Sequence, residues 1–398
     1  MEGLRGSFKL MKQLNISMVL ELIRKQGPIS RSEIAELTKL TPATISNISK
    51  ELLNIDFIKE TSLGESTGGR PPVMLELNPE AAFVIGINLG PGNIEGVITN
   101  IEGKIIRKTV VKLGRVEAQV VVDTIKAIIK EIISDVAIPK EKIIGIGMAV
   151  HGIVNSQTGV SEYAPFYDWK HLPLKEMIEK EFDIPVLIDN DVNAMALAES
   201  WFGIAKSIPN FVTIFVGNGV GSGVIIQNST YYGVSYSAGE VGHIVVENNG
   251  PLCSCGNHGC LESLICDTSM LAKYQKLVKD GKIKEEQNIN SLTISNVYKS
   301  AKDGNIEAVH LVEEAGKYLG IAIANLVNIL NPTLVVIAGE ITQASDLLIK
   351  EVKATVNRFA LKTIAENTII MPSALENNAA SLGAVSLILK DFFKGKSL

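Results

Sequence analysis

The stretch GHIVVENNGPLCSCGNHGCLE, from Gly242 to Glu262, holds most of the metal-binding side chains of this chain. It contains three of the four cysteines and two of the five histidines among 398 residues. One histidine and three cysteines follow the spacing H-x9-C-x-C-x4-C, namely His243, Cys253, Cys255 and Cys260. Thiolate and imidazole are the ligands that Zn²⁺ prefers, and four of them complete a tetrahedral structural site. The spacing therefore predicts a structural zinc ion.

Other interpretations of this loop remain open. The cysteines could be small buried side chains of a reduced loop, or Cys253 and Cys255 could form a redox pair. His258 could replace His243 as the fourth ligand, although it lies between two cysteines where the chain is crowded. The loop also contains the turn-forming residues Gly250, Pro251, Gly256 and Gly259. Such turns bring ligands that are close in sequence onto one ion, so zinc is the preferred interpretation.

Two carboxylates flank the loop and are candidates for ligand binding. Glu240 lies just before His243, and Glu262 lies just after Cys260. A metal ion in the loop would hold both carboxylates in fixed positions, and carboxylates accept hydrogen bonds from sugar hydroxyls. The alternative is that both are solvated or pair with lysines. The stretch thus supplies two candidate acceptors for sugar hydroxyls on either side of a metal-braced loop.

Length and composition predict two or three domains with well-packed cores. The chain is 46% hydrophobic and carries a net charge of −5, so it is not a polycation that coats nucleic acid or anionic lipid. Residues 1–80 carry ten basic and ten acidic side chains, whereas the remainder is acidic. Neither a signal peptide nor a run of about 18 apolar residues is recognisable. We therefore expect a cytoplasmic protein with reduced cysteines and no membrane segment.

The first sixty residues have the pattern of a helix-turn-helix unit. Apolar residues keep helical spacing from Asn15 to Gln26, where a Gly-Pro pair ends the helix. Ser30 is expected to cap a second helix, with Glu33 as its capping-box partner. Thr41 is expected to cap a third helix that has Pro42 in its first position.

The third helix predicts a surface that reads DNA. Ile45, Ile48 and Leu52 lie on its apolar face, whereas its other face carries short or polar side chains suited to base edges and phosphates. A strand from Phe57 and a glycine-rich segment leading to a return strand predict a wing. The candidate DNA contacts are Arg31, Thr41, Ala43, Thr44, Ser46, Asn47, Lys50 and Arg70. Residues 1–78 are therefore interpreted as a winged helix-turn-helix DNA-binding domain, with a protein-binding three-helix module as the alternative.

Residues 79–398 show an α/β pattern that occurs twice. AFVIGINLG, NIEGVITN and GKIIRKTVVKL predict three short strands joined by tight turns, and a similar set comprises NFVTIFVG, GVGSGVIIQN and STYYGVS. This internal duplication predicts two α/β lobes. We expect the first lobe over about 79–195 together with the C-terminal helix, and the second over about 196–380.

Three segments resemble the ROK family of repressors, open reading frames and sugar kinases: GEVGHIVVENNGPLCSCGNHGCLE, IDNDVNAMALAE and GNGVGSGVI. With the winged helix in front, the chain is similar to the xylose-repressor-like branch of transcriptional regulators. The resemblance extends over essentially the whole chain. It implies an actin/hexokinase-like fold, in which two lobes of ribonuclease-H type close on a cleft.

The resemblance also implies a sugar site. Asp191 matches the general base of the family's kinases, with an N-cap of the next helix as the alternative interpretation. His243 would hold zinc through one ring nitrogen and offer the other to a hydroxyl. The sugar-binding residues implied are Gly152, Asn190, Asp191, Glu240, His243 and Glu262. His151, Phe166 and Tyr167 depart from the family pattern beside the sugar, so the sugar is not identified.

The nucleotide side of the cleft departs further from the kinases. They carry an Asp-x-Gly-Gly-Thr loop after the first strand, where this chain has Asn88-Leu89-Gly90-Pro91-Gly92. An amide replaces the carboxylate that would help to organise Mg²⁺, and proline removes a backbone donor. Glu340 puts an acid where adenosine would lie. The residues of these vestigial nucleotide loops are Asn88, Gly90, Gly217, Gly219, Gly221 and Gly339. ATP is therefore not expected as a cofactor.

Together these features predict a sugar-responsive repressor without enzymatic activity. It would bind operator DNA as a homodimer or tetramer and respond to a sugar such as xylose or glucose. An ATP-dependent sugar kinase with a DNA-binding head is the alternative, although the altered loop should raise its barrier by several kcal/mol. A regulator controlled by docking of a transport protein is a third possibility.

Overall fold

The structure is a computed structural model that describes residues 2–63, 71–136, 138–285 and 288–395. Arg70, a predicted DNA contact, lies outside the described residues. The helices are α1 (Glu2–Gln26), α2 (Arg31–Thr38), α3 (Pro42–Asn54), α4 (Ala118–Asp135), α5 (Leu174–Phe182), α6 (Asp191–Trp201), α7 (Leu261–Ile265), α8 (Asp267–Lys279), α9 (Ile294–Lys302), α10 (Ile306–Leu330), α11 (Ser345–Phe359), α12 (Lys362–Ala365) and α13 (Ala379–Phe393). The strands are β1 (Ile29–Ser30), β2 (Ile58–Leu63), β3 (Val73–Leu77), β4 (Phe83–Gly90), β5 (Asn93–Asn100), β6 (Ile105–Lys112), β7 (Ile143–Val150), β8 (Ile153–Asn155), β9 (Val160–Ala164), β10 (Trp169–Leu172), β11 (Val186–Asn190), β12 (Phe211–Val216), β13 (Val220–Ile226), β14 (Ser229–Thr230), β15 (Leu334–Ala338) and β16 (Ile369–Pro372).

The amino-terminal head is a winged helix-turn-helix, as predicted. The Ser30 hydroxyl accepts a hydrogen bond from the Glu33 N–H, and the Glu33 carboxylate accepts one from the Ser30 N–H at 2.8 Å. This capping box begins α2. Thr41 caps α3, and Pro42 occupies its first turn. Strand β3 pairs antiparallel with β2 to form the wing and also with β1.

Two features of the head differ from the sequence prediction. Helix α1 begins at Glu2 and not at Asn15, because the residues between them include no proline and can propagate the helix. The side chains of Met11 and Leu14 stay exposed there, so no apolar face marked this extension. Strand β1 has only two residues and is too short to show an alternating pattern.

One hydrophobic core joins the head to the body. Leu20 of α1 and Leu52 of α3 belong to the same buried cluster as side chains of β4, β5 and α13. The α13 members are Val385, Ile388, Leu389, Phe392 and Phe393. Phe57, just before β2, stacks on Phe392 with 5.3 Å between ring centroids. The secondary structure changes near the boundary that we expected after residue 78, but the side chains on both sides of it pack in one core.

The body contains two five-stranded sheets with the same topology. In the first, β4, β5 and β6 form an antiparallel meander, and β7 and β11 continue the sheet parallel to β4. In the second, β12, β13 and β14 form the meander, and β15 and β16 run parallel to β12. The repeat confirms the predicted α/β fold with two lobes of ribonuclease-H type.

Helices α6 and α13 fill the space between the lobes. Residues Val192–Glu199 of α6 are all buried. Gly147 on β7 lies so close to α13 that a Cβ there would be 1.8 Å from the Ala384 carbonyl oxygen. Gly383 of α13 also lies close to α6, since a Cβ would be 2.4 Å from the Ala194 backbone. Glycine at these positions lets the backbones touch.

Several smaller elements were not predicted. Strands β8, β9 and β10 form a separate antiparallel sheet, and helices α5, α8 and α11 and strand β16 complete the lobes. The third strand of the second meander was predicted over STYYGVS, which is wrong beyond Thr230. The chain leaves the sheet there because the Tyr232 hydroxyl reaches across to Asp189 of the first lobe. No helix within the described ranges is long and apolar enough to cross a membrane.

The close approach of β7 and α13 makes a prediction for stability. Gly147→Ala should lower the free energy of unfolding by roughly 3 kcal/mol, because the added methyl meets a backbone carbonyl that cannot rotate away. Gly114→Ala is the matched control, since a Cβ at Gly114 meets nothing within 4 Å. Its effect should stay within about 0.5 kcal/mol. Chemical denaturation of both variants measures the difference, and equal stabilities would contradict this account.

Candidate metal centre and ligand cleft

Four side chains converge at the cysteine motif. The ligand atoms of His243, Cys253, Cys255 and Cys260 all lie within 4.8 Å of one another. The Cys253 sulfur lies 3.6 Å from His243 Nδ1, and the sulfurs of Cys255 and Cys260 lie 3.7 Å apart. Ligands about 2.3 Å from a tetrahedral ion are about 3.8 Å from each other. The cluster therefore fits one tetrahedral metal ion.

The loop geometry separates the two histidines of the motif. His258 is exposed, and its Nδ1 lies 3.1 Å from the Gly250 carbonyl oxygen, outside the four-residue cluster. Gly259 adopts a φ of +73°, and a Cβ there would be 1.8 Å from the Glu247 carbonyl oxygen. Only glycine can make this turn, which brings Cys260 back beside His243. The alternative in which His258 replaces His243 does not match this arrangement.

His243 connects the metal cluster to the cleft. Its Nδ1 faces Cys253, whereas its Nε2 lies 4.0 Å from Glu240 Oε2. A metal ion on Nδ1 leaves the Nε2–H as a hydrogen-bond donor toward Glu240 or toward a ligand hydroxyl. The two ring nitrogens thus have the separate surroundings that the predicted dual role requires.

Glu262 connects the metal loop to the glycine loop between β12 and β13. Its Oε2 accepts a hydrogen bond from the Val220 N–H at 3.0 Å, and its Oε1 accepts one from the Ser254 hydroxyl at 3.2 Å. Both contacts fix the carboxylate. Each oxygen can still accept a second hydrogen bond, so Glu262 can also bind a ligand hydroxyl.

Asp191 begins α6, but Asn190 is the residue that caps the helix. Asn190 Oδ1 accepts hydrogen bonds from the N–H groups of Val192 and Asn193 at 2.9 and 3.1 Å. Its amide nitrogen donates to the Gly152 carbonyl at 2.9 Å and to Asp191 Oδ1 at 3.0 Å. The Asn190 side chain is therefore fully used within the protein. Asp191 Oδ1 also accepts a hydrogen bond from the Val192 N–H at 3.0 Å, so both contacts fix the carboxylate through one oxygen.

The His151–Gly152 turn forms the wall beside Asp191. Gly152 has a φ of +95°, and a Cβ there would be 2.2 Å from the Tyr163 carbonyl oxygen, so this position requires glycine. Burial raises the pKa of Asp191, while the charge of His151 and hydrogen bonds from Val192 and Asn190 act in the opposite direction. A positive charge on the His151 imidazole thus favours the ionised form of Asp191.

Electrostatic interactions connect the candidate sugar residues from both lobes. Burial raises the pKa of Glu240, the charge of His243 lowers it, and the charges of Glu262 and Asp191 raise it further. The Glu240 side chain is 54% exposed and so remains accessible. The structure therefore brings Asp191 of the first lobe together with Glu240, His243 and Glu262 of the second.

Asp189 and Tyr232 form a contact between the lobes that the sequence did not reveal. Asp189 is 1% exposed, and its Oδ2 accepts a hydrogen bond from the Tyr232 hydroxyl at 2.7 Å. Its Oδ1 accepts one from the Asn190 N–H at 2.8 Å. The one sign of this contact in the sequence is an acidic residue at the end of a buried strand. The partner of this acid could not be identified from the sequence, because Tyr232 is 43 residues away in the other lobe.

The first vestigial nucleotide loop is covered by aromatic side chains. Asn88 lies within β4, where it pairs with β5, and Gly90 ends the strand. The Tyr167 hydroxyl donates to the Gly90 carbonyl at 2.9 Å, and the Tyr167 ring stacks on Trp169 at 5.0 Å. Phe166 packs edge-on against Tyr167. Phe166 and Tyr167, which depart from the family pattern, thus pack together, and Tyr167 holds this turn through its hydroxyl.

The second loop keeps its glycines but already holds an acid of the protein. Gly217 and Gly221 border the turn, and Gly219 lies 3.0 Å from Glu262 Oε2 at its Cβ position. The Val220 N–H points to the same carboxylate. A phosphate at this loop would have to compete with Glu262 for that donor.

More negative charge lies near the end of β15. Gly339 has a φ of +105° and packs against β12, and Glu340 follows it. Burial and the nearby charge of Glu340 raise the pKa of Asp267 to about 7. The Tyr298 hydroxyl is buried close to both acids and has no hydrogen-bond partner among the described residues. This side of the cleft is therefore poorly matched to a triphosphate.

The predicted DNA contacts fall into two groups. Ala43, Ser46, Asn47 and Lys50 are exposed on α3, opposite the buried Ile45 and Ile48. Thr41 and Thr44 instead bond to each other at the helix start, at 2.9 Å between hydroxyl oxygens. Arg31 is held by Glu60 of the wing at 2.7 Å. The exposed group forms a continuous surface that can enter a major groove.

Head, lobes and cleft define a winged helix-turn-helix protein built on a sugar-kinase-like body. A family model described as the ROK family matches residues 84–391, and one described as the MarR family matches residues 17–63. The chain belongs to the ROK family.

Full-length relatives share both parts of this architecture. The chain is 37% identical over 393 residues to a putative xylose repressor from Caldicellulosiruptor sp. (strain Rt8B.4), covering 97% of this chain and 98% of the relative. It is 30% identical over 390 residues to the DNA-binding transcriptional dual regulator NagC of Escherichia coli (strain K12), covering 98% and 96%. A crystal structure of a ROK family transcriptional regulator, described as a homolog of the E. coli MLC protein, matches with a TM-score of 0.85 at 29% identity, covering 97% and 98%. The predicted family and fold are confirmed.

The metal cluster makes a prediction for metal content. Cys255→Ser should lower the bound zinc per chain well below that of the unchanged protein, because a neutral hydroxyl is a poor replacement for a thiolate ligand. Cys266→Ser is the control, since Cys266 is likewise a free cysteine but lies outside the four-residue cluster. Elemental analysis of both purified variants measures the difference. Unchanged zinc in Cys255→Ser would rule out this ligand set.

The buried Asp189 makes a prediction for pH dependence. Burial raises the pKa of Asp189 from 3.8 to about 6, partly offset by hydrogen bonds from Tyr232 and Asn190. The folded state therefore binds this proton more tightly than the unfolded state, and stability falls as pH rises from about 4 to 6. Asp189→Asn should remove this term, which is at most about 3 kcal/mol. Urea unfolding at pH 4.5 and 7.5 tests it; a difference between variant and parent that does not change with pH would contradict it.

Proposed function

We infer that this protein is a sugar-responsive transcriptional repressor with no enzymatic activity. The observation that carries the inference is the asymmetry of the cleft. Acceptors and a donor for sugar hydroxyls converge on one side, whereas the nucleotide side is occupied by aromatic and acidic groups of the protein. A head with an exposed recognition helix is packed on the same body. The relatives named as repressors extend over nearly the whole chain.

The chemistry of the cleft suits a neutral carbohydrate. Carboxylates of Asp191, Glu240 and Glu262 can each accept a hydrogen bond from a hydroxyl, and His243 Nε2–H can donate one. Hydrogen bonds to charged groups contribute about 1.5–3 kcal/mol each, so a few of them can select one sugar. Asn190 and Gly152 would act by holding the turn next to Asp191, since the Asn190 side chain is already bonded on both sides.

We propose zinc as the ion of the cysteine cluster, with a structural role. Four protein ligands leave no open position for catalysis. The ion would fix the loop that bears His243 and Glu262, and it would thereby hold the sugar acceptors in place before the ligand arrives. Its removal should weaken sugar binding before it affects the head.

Phosphoryl transfer has little support in this cleft. Catalysis of that reaction depends on neutralising phosphate charge. Asn88 stands where a carboxylate would organise Mg²⁺, Glu262 already accepts from the glycine loop, and Asp267 adds negative charge with Glu340 nearby. An active sugar kinase would therefore have to bind the negatively charged phosphates of ATP close to acidic side chains of the protein.

The names of the relatives narrow the effector to a few sugars. A putative xylose repressor is the more similar of the two, so xylose is tested first and N-acetylglucosamine second, and glucose is added because the family resemblance in the sequence suggested it. We propose a homodimer or a tetramer acting in the cytoplasm, because two recognition helices per assembly would read the two halves of a palindromic operator. Control by a docked transport protein would instead leave operator binding insensitive to every sugar.

Titration of operator complexes with sugars tests the proposed function. An operator selected by the protein from random DNA should be bound about 5–150 times more weakly when the effector sugar is saturating, the range expected of typical coupling. ATP consumption at enzyme-like rates would support the kinase alternative. No change with xylose, glucose or N-acetylglucosamine would contradict the role proposed for these three sugars.

Two variants in this experiment serve as controls for each other. Asn47→Ala should weaken specific operator binding by about 1–3 kcal/mol and leave sugar affinity unchanged. Glu240→Gln should weaken sugar binding by about 1.5–3 kcal/mol and leave operator affinity without sugar unchanged. Calorimetry measures the sugar affinity of each variant, and DNA-binding anisotropy measures its operator affinity. Loss of both functions in either variant would remove that residue from its proposed role.

A further inference from the structure

Helix α6 connects the candidate sugar site to the head. Its first residue is Asp191, in the cleft, and its last is Trp201, at the base of the head. Eleven residues of α-helix span about 16 Å. Because Val192–Glu199 are all buried between the lobes, the helix is surrounded by packed side chains along its length. A displacement at one end is therefore passed to the other as movement of a rigid rod.

Trp201 contacts a charged side chain of the head. The Arg24 guanidinium carbon lies 4.1 Å from the centre of the Trp201 ring and 5.7 Å from that of Phe393. Trp201 and Phe393 in turn lie 5.7 Å apart between ring centroids. A cation above an aromatic face at this distance is attracted by the electrons of the ring. Arg24 thus joins the head to the ends of α6 and α13.

Arg24 is held rigidly within the head. Its Nε and Nη2 each donate to one oxygen of Glu21 at 2.8 Å, a paired geometry that fixes the plane of the guanidinium. The Arg24 side chain is only 19% exposed. Both residues lie on α1, whose Leu20 is packed in the same core as Leu52 of the recognition helix α3. Movement of Arg24 therefore moves the DNA-reading surface.

A second contact between head and body lies away from α6. Phe57 stacks on Phe392 in an apolar environment with an interplanar angle of 17°. This contact joins the wing to α13 and involves no residue of α6. Besides the shared core, the head thus contacts the body at two places. One is the Phe57–Phe392 stack on α13, and the other is the Arg24–Trp201 contact at the end of α6.

We propose that Arg24 and Trp201 are the positioning residues through which sugar binding changes the affinity of the head for DNA. The inference rests on the proposed function, because it assumes a sugar at the Asp191 end of α6. A sugar that draws the lobes together would shift α6 and thereby Trp201, and the Arg24 stack would transmit that shift to α1. Sugar and operator would otherwise bind independently.

The first test compares the coupling factor among variants of Arg24. This factor is the operator Kd with saturating sugar divided by the operator Kd without sugar. Arg24→Gln keeps a polar side chain but removes the guanidinium and its charge, and it should lower the factor at least fivefold while sugar Kd changes less than twofold. Arg24→Lys retains a cation and should restore part of the factor. A wild-type factor in Arg24→Gln overturns the proposal.

The matched control is another arginine that stacks on an aromatic ring. The Arg358 guanidinium carbon lies 5.2 Å from the centre of the Phe359 ring at the end of α11, remote from the head in the sequence and in the fold. Arg358→Gln removes the same chemical group and should leave the coupling factor unchanged. An equal loss of coupling in Arg358→Gln would show that the effect is not specific to α6, and it would also overturn the proposal.

A second readout does not depend on sugar response. Trp169 and Trp201 are the two tryptophans of the chain, so Trp169→Phe leaves Trp201 as the one indole reporter. Operator binding should change Trp201 emission in this variant, and Arg24→Gln in the same background should abolish the change. Equal changes with and without Arg24 overturn the inference. Failure of every sugar to affect wild-type operator binding would count against the proposed function alone, because this readout would still decide the role of Arg24.

Discussion

Close contact between backbones at glycine positions is the constraint on which the rest of the molecule depends. Helix α13 lies on β7 at Gly147 and on α6 at Gly383, at distances that exclude even a methyl group. The same helix then extends into the core of the head with Phe392 and Phe393. One C-terminal helix therefore packs against the first sheet, the helix of the cleft and the DNA-binding head, so all three meet along it.

The cleft shows how a kinase-like architecture can retain ligand binding without the conditions for catalysis. The sugar side depends on loops that the metal cluster and Glu262 connect, so its acceptors are fixed in advance. On the nucleotide side, side chains of the protein form hydrogen bonds with the backbone of the loops. The Tyr167 hydroxyl donates a hydrogen bond to the Gly90 carbonyl, and the Glu262 carboxylate accepts one from the Val220 N–H. These hydrogen bonds within the protein stabilise both loops, and the Val220 N–H is no longer a free donor for a phosphate.

Sequence reasoning succeeded where the determining interactions are local. The capping box of Ser30 and Glu33, the cap at Thr41 and the spacing of the three cysteines all involve residues close in the chain, and the structure contains each of them. It failed where partners are distant. Nothing near Tyr232 indicates that its hydroxyl reaches Asp189, and nothing near Arg24 indicates that it meets Trp201, because such pairs follow from the assembled fold. The assignment of Asn190 as a sugar contact stays a prediction, although its cap geometry gives it a sufficient structural role.

The attachment of the head explains why an effector of modest affinity could control it. A ligand shifts a conformational equilibrium only by the difference between its affinities for the two states. An interface held entirely by buried apolar contacts would resist a shift worth about 1–3 kcal/mol. Here the shared core and the Phe57–Phe392 stack keep the head attached, while the Arg24 stack is a separate polar contact through which a shift of α6 can reach α1. The coupling must also run in reverse, because linkage is reciprocal. Operator DNA that favours one position of α1 would lower the affinity for the sugar, and the sugar would lower the affinity for the operator by the same factor.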